Sequence, residues 1–121
     1  MGYESRVLIV NRNEIERIDG THYVYVEQIG DIKMSCMPNG FINLFDNKID
    51  YKLFVDNANK KTQTDRYGDI MTYTDCKTII NYLENLITSG ENHRRLTMLL
   101  GLLKGINEKQ WTNIQVVHYG Y

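Results

Sequence analysis

TDCKTIINYLENLITSGENHRRLTMLLGLLKGINEKQWTNIQVVHYGY, residues 74–121, reads as helix, turn, helix, turn and strand. Cys76, Ile79, Ile80, Leu83, Leu86 and Ile87 recur at three- and four-residue steps, which places them on one side of a helix. Lys77, Asn81, Glu84, Asn85 and Thr88 fall on the other side. Asp75 is positioned to cap the first turn with its carboxylate, and Gly90 can take the left-handed conformation that closes the helix. A second helix is predicted from Asn92 to Lys104, with Asn92 as cap, Lys104 in the last turn where the dipole favours a cation, and Gly105 as the stop. The short connection at Gly90 makes the two helices antiparallel neighbours. Beyond Trp111, Ile114, Val116 and Val117 predict a last strand over Asn113 to Tyr119.

The second helix is apolar on two sides. Leu96, Leu99, Leu100 and Leu103 form a core stripe, while Met98 and Leu102 lie four apart on nearly the opposite side, one turn beyond Arg94 and Arg95. A helix that is apolar on two faces is covered on two faces. The favoured reading is internal cover, with the sheet on one face and the first helix or a long loop on the other. The alternative is a partner site, with Met98 and Leu102 as anchors and the arginines as rim.

Upstream, Tyr3 to Val10 alternates and then turns continuously apolar at Val7, Leu8, Ile9 and Val10, the pattern of a central strand covered on both faces. Asn11 to Gly20 is polar, with one or two helical turns expected from Asn13 to Ile18 before an Asp19-Gly20 turn. His22 to Ile29 alternates, with Tyr23, Tyr25 and Glu27 on one face and Val24, Val26 and Gln28 on the other. Gly30-Asp31 is expected to turn the chain into a further strand, Ile32 to Met37, that pairs with it as a hairpin. Pro38-Asn39-Gly40 predicts a tight turn, Phe41 to Phe45 the start of a strand, Asp46 to Asp50 another turn, and Tyr51 to Val55 a short strand. Asp56 to Gly68 has no apolar period and predicts a mobile loop, before a short strand over Asp69 to Tyr73.

These elements predict an α+β domain, 1–121. Its antiparallel or mixed sheet of five to six strands would carry an antiparallel helix pair on one face, with the first and last strands near the middle. The 121 residues are 42% hydrophobic and 24% charged, with a net charge of −1. A chain of this size and composition buries one core unaided. The absence of a long apolar run excludes a spanning helix, and no signal pattern opens the chain, so the cytosol is the expected compartment and no membrane partner is predicted. Charges of both signs are scattered, which excludes a basic stripe for nucleic acid and an acidic mimic of it. Cys36 and Cys76 are expected as buried reduced thiols.

Chemistry is thin. His22, His93, His118 and the two cysteines form none of the close pairs that a metal site uses, so no metal or cofactor is predicted. Asp65 to Asp69 lacks the alternating acidic ligands of a calcium loop. The glycines are dispersed among turns instead of clustering as a phosphate cradle. Cys76 falls on a core face where a thiol stays protonated. His118 in the last strand could act as a base near Glu4 or Tyr121, but a hydrogen-bonded sheet histidine is the more ordinary reading. No catalytic residue is therefore assigned. Nine tyrosines cannot all be core, because each buried hydroxyl needs a partner. Tyrosine with arginine and methionine is the composition of interface anchors. The candidate contact residues are Arg94, Arg95, Met98, Leu102, Arg66, Tyr67, Tyr23 and Tyr25.

Met1-Gly2-Tyr3-Glu4-Ser5-Arg6 ahead of an apolar strand, and Trp111 followed by Val116-Val117-His118-Tyr119-Gly120-Tyr121, resemble the two ends of small proteins encoded by phages and prophages. The Tyr67-Gly68-Asp69 turn and the Lys104-Gly105 pair are similar as well. The resemblance covers the termini and the helical third and carries no known active site. It implies an accessory protein that binds and inhibits a host protein, with anti-CRISPR and other anti-defence factors the first class to consider. A second class stays open, a binder of a small nucleotide signal with Arg66, Arg94 and Arg95 facing its phosphates. So does a homodimer.

Overall fold

The computed structural model describes residues 4–35, 37–55, 60–88 and 94–120. In chain order the elements are β1 (Ser5–Glu16), β2 (His22–Ser35), α1 (Asn39–Ile42), β3 (Asn47–Lys48), β4 (Thr72–Thr74), α2 (Cys76–Thr88), α3 (Arg94–Glu108) and β5 (Ile114–Gly120). The fold is α+β. Five antiparallel strands form one open sheet in the order β2-β1-β5-β4-β3, and the helix pair lies on one face. The first and last strands do pair, from Ser5 opposite Gly120 to Asn11 opposite Ile114.

The continuous apolar run of β1 is explained by cover on both sides. Val7 and Ile9, with Val116 of β5, pack among Ile79, Leu83, Leu96, Leu99 and Leu103 of the helices. Leu8 and Val10, with Val117 and Tyr119, pack under Ile49, Tyr51, Leu53 and Val55. Each fully buried large side chain contributes roughly 1.5–3 kcal/mol, so both layers matter to stability.

That second cover was expected as a strand. Its alternation is real, with Lys52 and Phe54 exposed between buried neighbours, yet its backbone joins no ladder beyond a single bridge from Leu53 to Thr62. Side chains take over the satisfaction of its polar groups. The Gln28 amide donates to Phe54 O at 2.8 Å and accepts from Phe54 N at 2.8 Å, the Gln63 amide donates to Ile49 O at 2.8 Å, and Arg6 donates to Val55 O. Alternation reports which side chains are buried and says nothing of what the backbone pairs with.

Four other expectations are corrected. β1 runs on to Glu16, so residues 13–18 form no helical turns; their polar character is that of a strand exposed to water. Gly30-Asp31 is not a turn but the middle of β2, one 14-residue strand. Ile9 opposes Gly30 and Val10 opposes Gln28, so Ile29 is an extra residue, a bulge. A Cβ on Gly30 would meet Ile9 Cγ1 at 3.3 Å, so the glycine serves close packing over Ile9. Pro38 to Phe45 is a helical turn, with Phe41 N donating to Pro38 O at 2.9 Å, and it tucks Phe41 into the helix-side core against Phe45 and Tyr82. The turn expected at 46–50 contains β3, which pairs with β4.

Asp75 does cap α2: its Oδ1 accepts from Thr78 N at 2.8 Å. Gly105 does not stop α3, which continues to Glu108 and buries Ile106 as a further core residue; tertiary packing outweighs the glycine's low helix propensity. Gly90, Asn92 and Cys36 lie outside the described residues, as do 56–59 of the expected loop. From residue 60 that loop is tied down by the Leu53–Thr62 and Thr64–Ile70 bridges.

Candidate functional site

The feature that distinguishes this sheet is a projection. β5 accompanies β1 only as far as Asn11, while β1 and β2 stay paired to Glu16 opposite His22. The last turns of register therefore form a two-stranded arm beyond the covered sheet. Its tip closes through Arg17 N to Thr21 O at 2.7 Å and Gly20 N to Arg17 O at 2.9 Å. Gly20 adopts φ +86°, which a glycine takes without strain, and the Asp19 carboxylate accepts from both Thr21 N and Thr21 Oγ1. Those bonds hold the Asp19 carboxyl below the usual carboxylate range, with the hydroxyl the larger cause.

Strand alternation sorts the arm into two faces. Asn11, Asn13 and Ile15 continue the helix-side row of Val7 and Ile9, opposite Glu27, Tyr25 and Tyr23. Ile15, Tyr23, Tyr25 and Ile29 are all exposed, and the Arg17 guanidinium lies 4.7 Å from the Tyr23 ring centroid. The opposite face is braced by Arg12, whose Nε and Nη2 reach Asp50 at 2.9 and 2.6 Å and whose Nη1 reaches Glu14 at 3.2 Å. Hydrogen bonding in this pair raises the Arg12 pKa and lowers that of Asp50.

Where the arm leaves the sheet, the turn between α3 and β5 stands beside it and borders an open cavity of about 540 Å³. Asn11, Asn13, Glu27 and Ile29 form one wall and Gln110 to Ile114 the other, with Trp111 57% exposed at its edge. The turn is fixed to β1 by Arg12 N donating to Asn113 O at 2.9 Å and by the Asn113 amide donating to Asn13 Oδ1 at 2.6 Å. Gln110, just past the end of α3, holds φ +54°, an uncommon conformation for a residue with a side chain, and its N–H donates to Asn107 O at 3.1 Å.

The eight contact residues named from the sequence fall in three places. Tyr23 and Tyr25 are on the arm. Arg94 and Arg95 are exposed in the first turn of α3, followed by Met98 at 67% and Leu102 at 40% exposure. The favoured internal cover of that second face is therefore not found. Gly101 and Gly105 lie on the same stripe with open space beside them. Arg66 and Tyr67 sit at the tip of a turn built on Asp65, whose Oδ1 accepts from Tyr67 N at 2.9 Å and Asp69 N at 3.1 Å. With its carboxylate engaged in that way, Asp65 organises a turn. None of the eight lines the cavity.

His118 is on the helix face of β5, 4% exposed, with Nε2 2.8 Å from Ser5 Oγ and the Phe45 ring 5.3 Å away. Burial pushes its pKa down to about 4, so it is neutral at pH 7 and shut away from solvent. Cys76 is buried and its thiol pushed up by burial. Among the described residues no three His, Cys, Asp or Glu side chains converge on a common point, and no helix is long and apolar enough to cross a membrane.

Sequence reading missed the cavity. Trp111 in KQWTN belongs to no periodic pattern, and Asn11, Asn13 and Glu27 become neighbours of it only through the β1–β5 register. A lone tryptophan in a polar stretch was the available signal. No family model, curated protein or solved structure matches the chain.

Proposed function

We propose that this chain is a non-enzymatic binding protein, encoded by a phage, that engages and inhibits a host protein. A bacterial defence enzyme such as a CRISPR nuclease is the first candidate. The observation that carries the reading is the arm: exposed Ile15, Tyr23, Tyr25 and Ile29 share one face of a ribbon outside the core, with Trp111 beside it. Apolar side chains gathered in one exposed patch cost solubility unless a partner covers them, and tyrosine and tryptophan are the side chains that dominate interface energies. Met98 and Leu102 on α3, rimmed by Arg94 and Arg95, offer a second contact, and the resemblance of the chain's ends to phage proteins supplies the class of role.

A tagged pull-down from the lysate of a bacterial host with active defence systems tests this, with proteins and extracted nucleotides both identified. One host protein should be retained in stoichiometric amount. It should be lost with Tyr23→Asp/Tyr25→Asp and weakened with Met98→Asp/Leu102→Asp, both variants staying folded. Capture of no host protein sinks the reading.

The cavity favours a second reading, a small-ligand binder. Among the described residues no arginine or lysine lines it, so a nucleotide phosphate would find no cation there from them, and Arg66, Arg94 and Arg95 lie elsewhere. Co-purification of a small molecule without a host protein would favour this alternative.

A further inference from the structure

We propose that the cavity beside the arm is a cation pocket that receives one arginine or lysine side chain from an extended segment of the partner protein. The side chain is held between the Glu27 carboxylate and the Trp111 ring. The inference rests on the binding reading above and names the chemistry of the partner at that site.

Three observations select a cation. Among the described residues Glu27 is the one charged residue in the lining, and it makes no ion pair with any of the others. Trp111 is the chain's single tryptophan, more than half exposed at the rim of the same space. The arm together with its root, residues 11–29, carries Glu14, Glu16, Asp19 and Glu27 against Arg12 and Arg17, a formal net charge of −2. Of those two cations, Arg12 is already paired with Asp50 and Glu14 on the opposite face. A cation is attracted to the face of a tryptophan within roughly 6 Å of its centroid. Glu27 lines the same space as that ring. The unpaired charge is thereby neutralised, while an anionic ligand would meet it with no compensating cation.

The rest of the lining selects a peptide as the carrier. Asn11, Asn13, Gln110 and Asn113 line the cavity with side-chain amides; Asn113 Nδ2 and Asn13 Oδ1 bond each other, and the remaining amide groups both donate and accept, matching the alternating N–H and C=O groups of an extended backbone. Ile29 supplies the apolar wall along which the methylene stem of an arginine or lysine would lie. A neutral sugar shares the need for an aromatic platform and amides, but it leaves the Glu27 charge without a counterpart.

Because Trp111 is the only tryptophan, its emission reports the site directly. The full chain would be titrated with acetyl-Gly-Arg-Gly-amide, with the same peptide carrying citrulline in place of arginine, and with methyl glucoside. A saturable change in emission is expected for the arginine peptide, with affinity lower by about tenfold for the citrulline peptide. Glu27→Gln, at an exposed position, should keep the native circular dichroism and reduce the arginine peptide to the citrulline level. Trp111→Leu, followed by calorimetry, should lose binding as well. Equal responses to the two peptides, a stronger response to methyl glucoside, no saturable response, or unchanged affinity in Glu27→Gln would each overturn the proposal. A host protein captured by pull-down without any peptide response defeats the cation pocket and leaves the binding function intact. A peptide response without a captured host protein does the reverse.

Discussion

Acid should loosen this protein through one residue, His118. Its ring is enclosed by Phe41 and Phe45, its Nε2 is 2.8 Å from Ser5 Oγ, and burial lowers its pKa from 6.5 to about 4. A proton is therefore bound more readily by the unfolded chain than by the folded one. The contribution of the neutral ring is fully present above pH 6.5 and is lost as pH falls toward 4, where the native ring also protonates. Within that window the slope is about 1.4 kcal/mol per pH unit, and the total loss comes to about 3 kcal/mol, a large part of an ordinary domain's stability. The carboxylates with lowered pKa, Asp19 and Asp50, lose most of their contributions below the ordinary carboxylate value of 3.8, and the His118→Gln comparison cancels what they lose above it. Urea unfolding followed by circular dichroism at half-unit steps from pH 7 to pH 4.5 should show the midpoint falling with pH. His118→Gln keeps a partner for the Ser5 hydroxyl and removes the titration, so its midpoint should fall much less over the same range. Equal pH dependence in the two proteins would refute the assignment.

Three further outcomes follow from the helices. Gly101→Ala and Gly105→Ala meet open space on α3, so each should raise stability by about 0.4–1 kcal/mol in denaturant unfolding. Leu103→Ala should cost about 2–5 kcal/mol because that side chain is fully buried, while Leu102→Ala beside it should cost under about 1 kcal/mol. Asp75→Ala removes the bond to Thr78 N and should lower stability by about 1 kcal/mol, with amide exchange fastest in the first turn of α2.

Helices and central strands were legible because their burial leaves a period in the sequence. Ile79, Leu83, Leu99 and Leu103 mark the face that packs on the sheet, and Val7 to Val10 marks a strand covered twice. Glycines were harder, since the same residue serves different physical needs. Gly20 supplies a positive φ at a turn, Gly30 makes room over Ile9, and Gly105 sits inside a helix held by its neighbours' burial. The segment Tyr51 to Val55 alternates like a strand, yet Leu53 pairs only with Thr62 and the Phe54 and Val55 backbone groups are met by Gln28 and Arg6 side chains, a long-range arrangement that no local pattern encodes. Met98 and Leu102 are exposed where internal cover was the favoured expectation, because no described element packs on that side of α3. The cavity at Trp111 was not legible, because it exists only where the strand register brings residues 11, 13 and 27 beside the turn at 110–113.

The arm's separation from the sheet bears on how such a protein can change over generations. Tyr23, Val24 and Tyr25 are about half exposed and belong to neither core cluster, so replacing them leaves the two packed layers intact. Substitutions there should cost less stability than substitutions within those layers. Under the binding role proposed above, selection on recognition would act on the ribbon while the two packed layers are inherited unaltered, with no need to re-solve the fold each time.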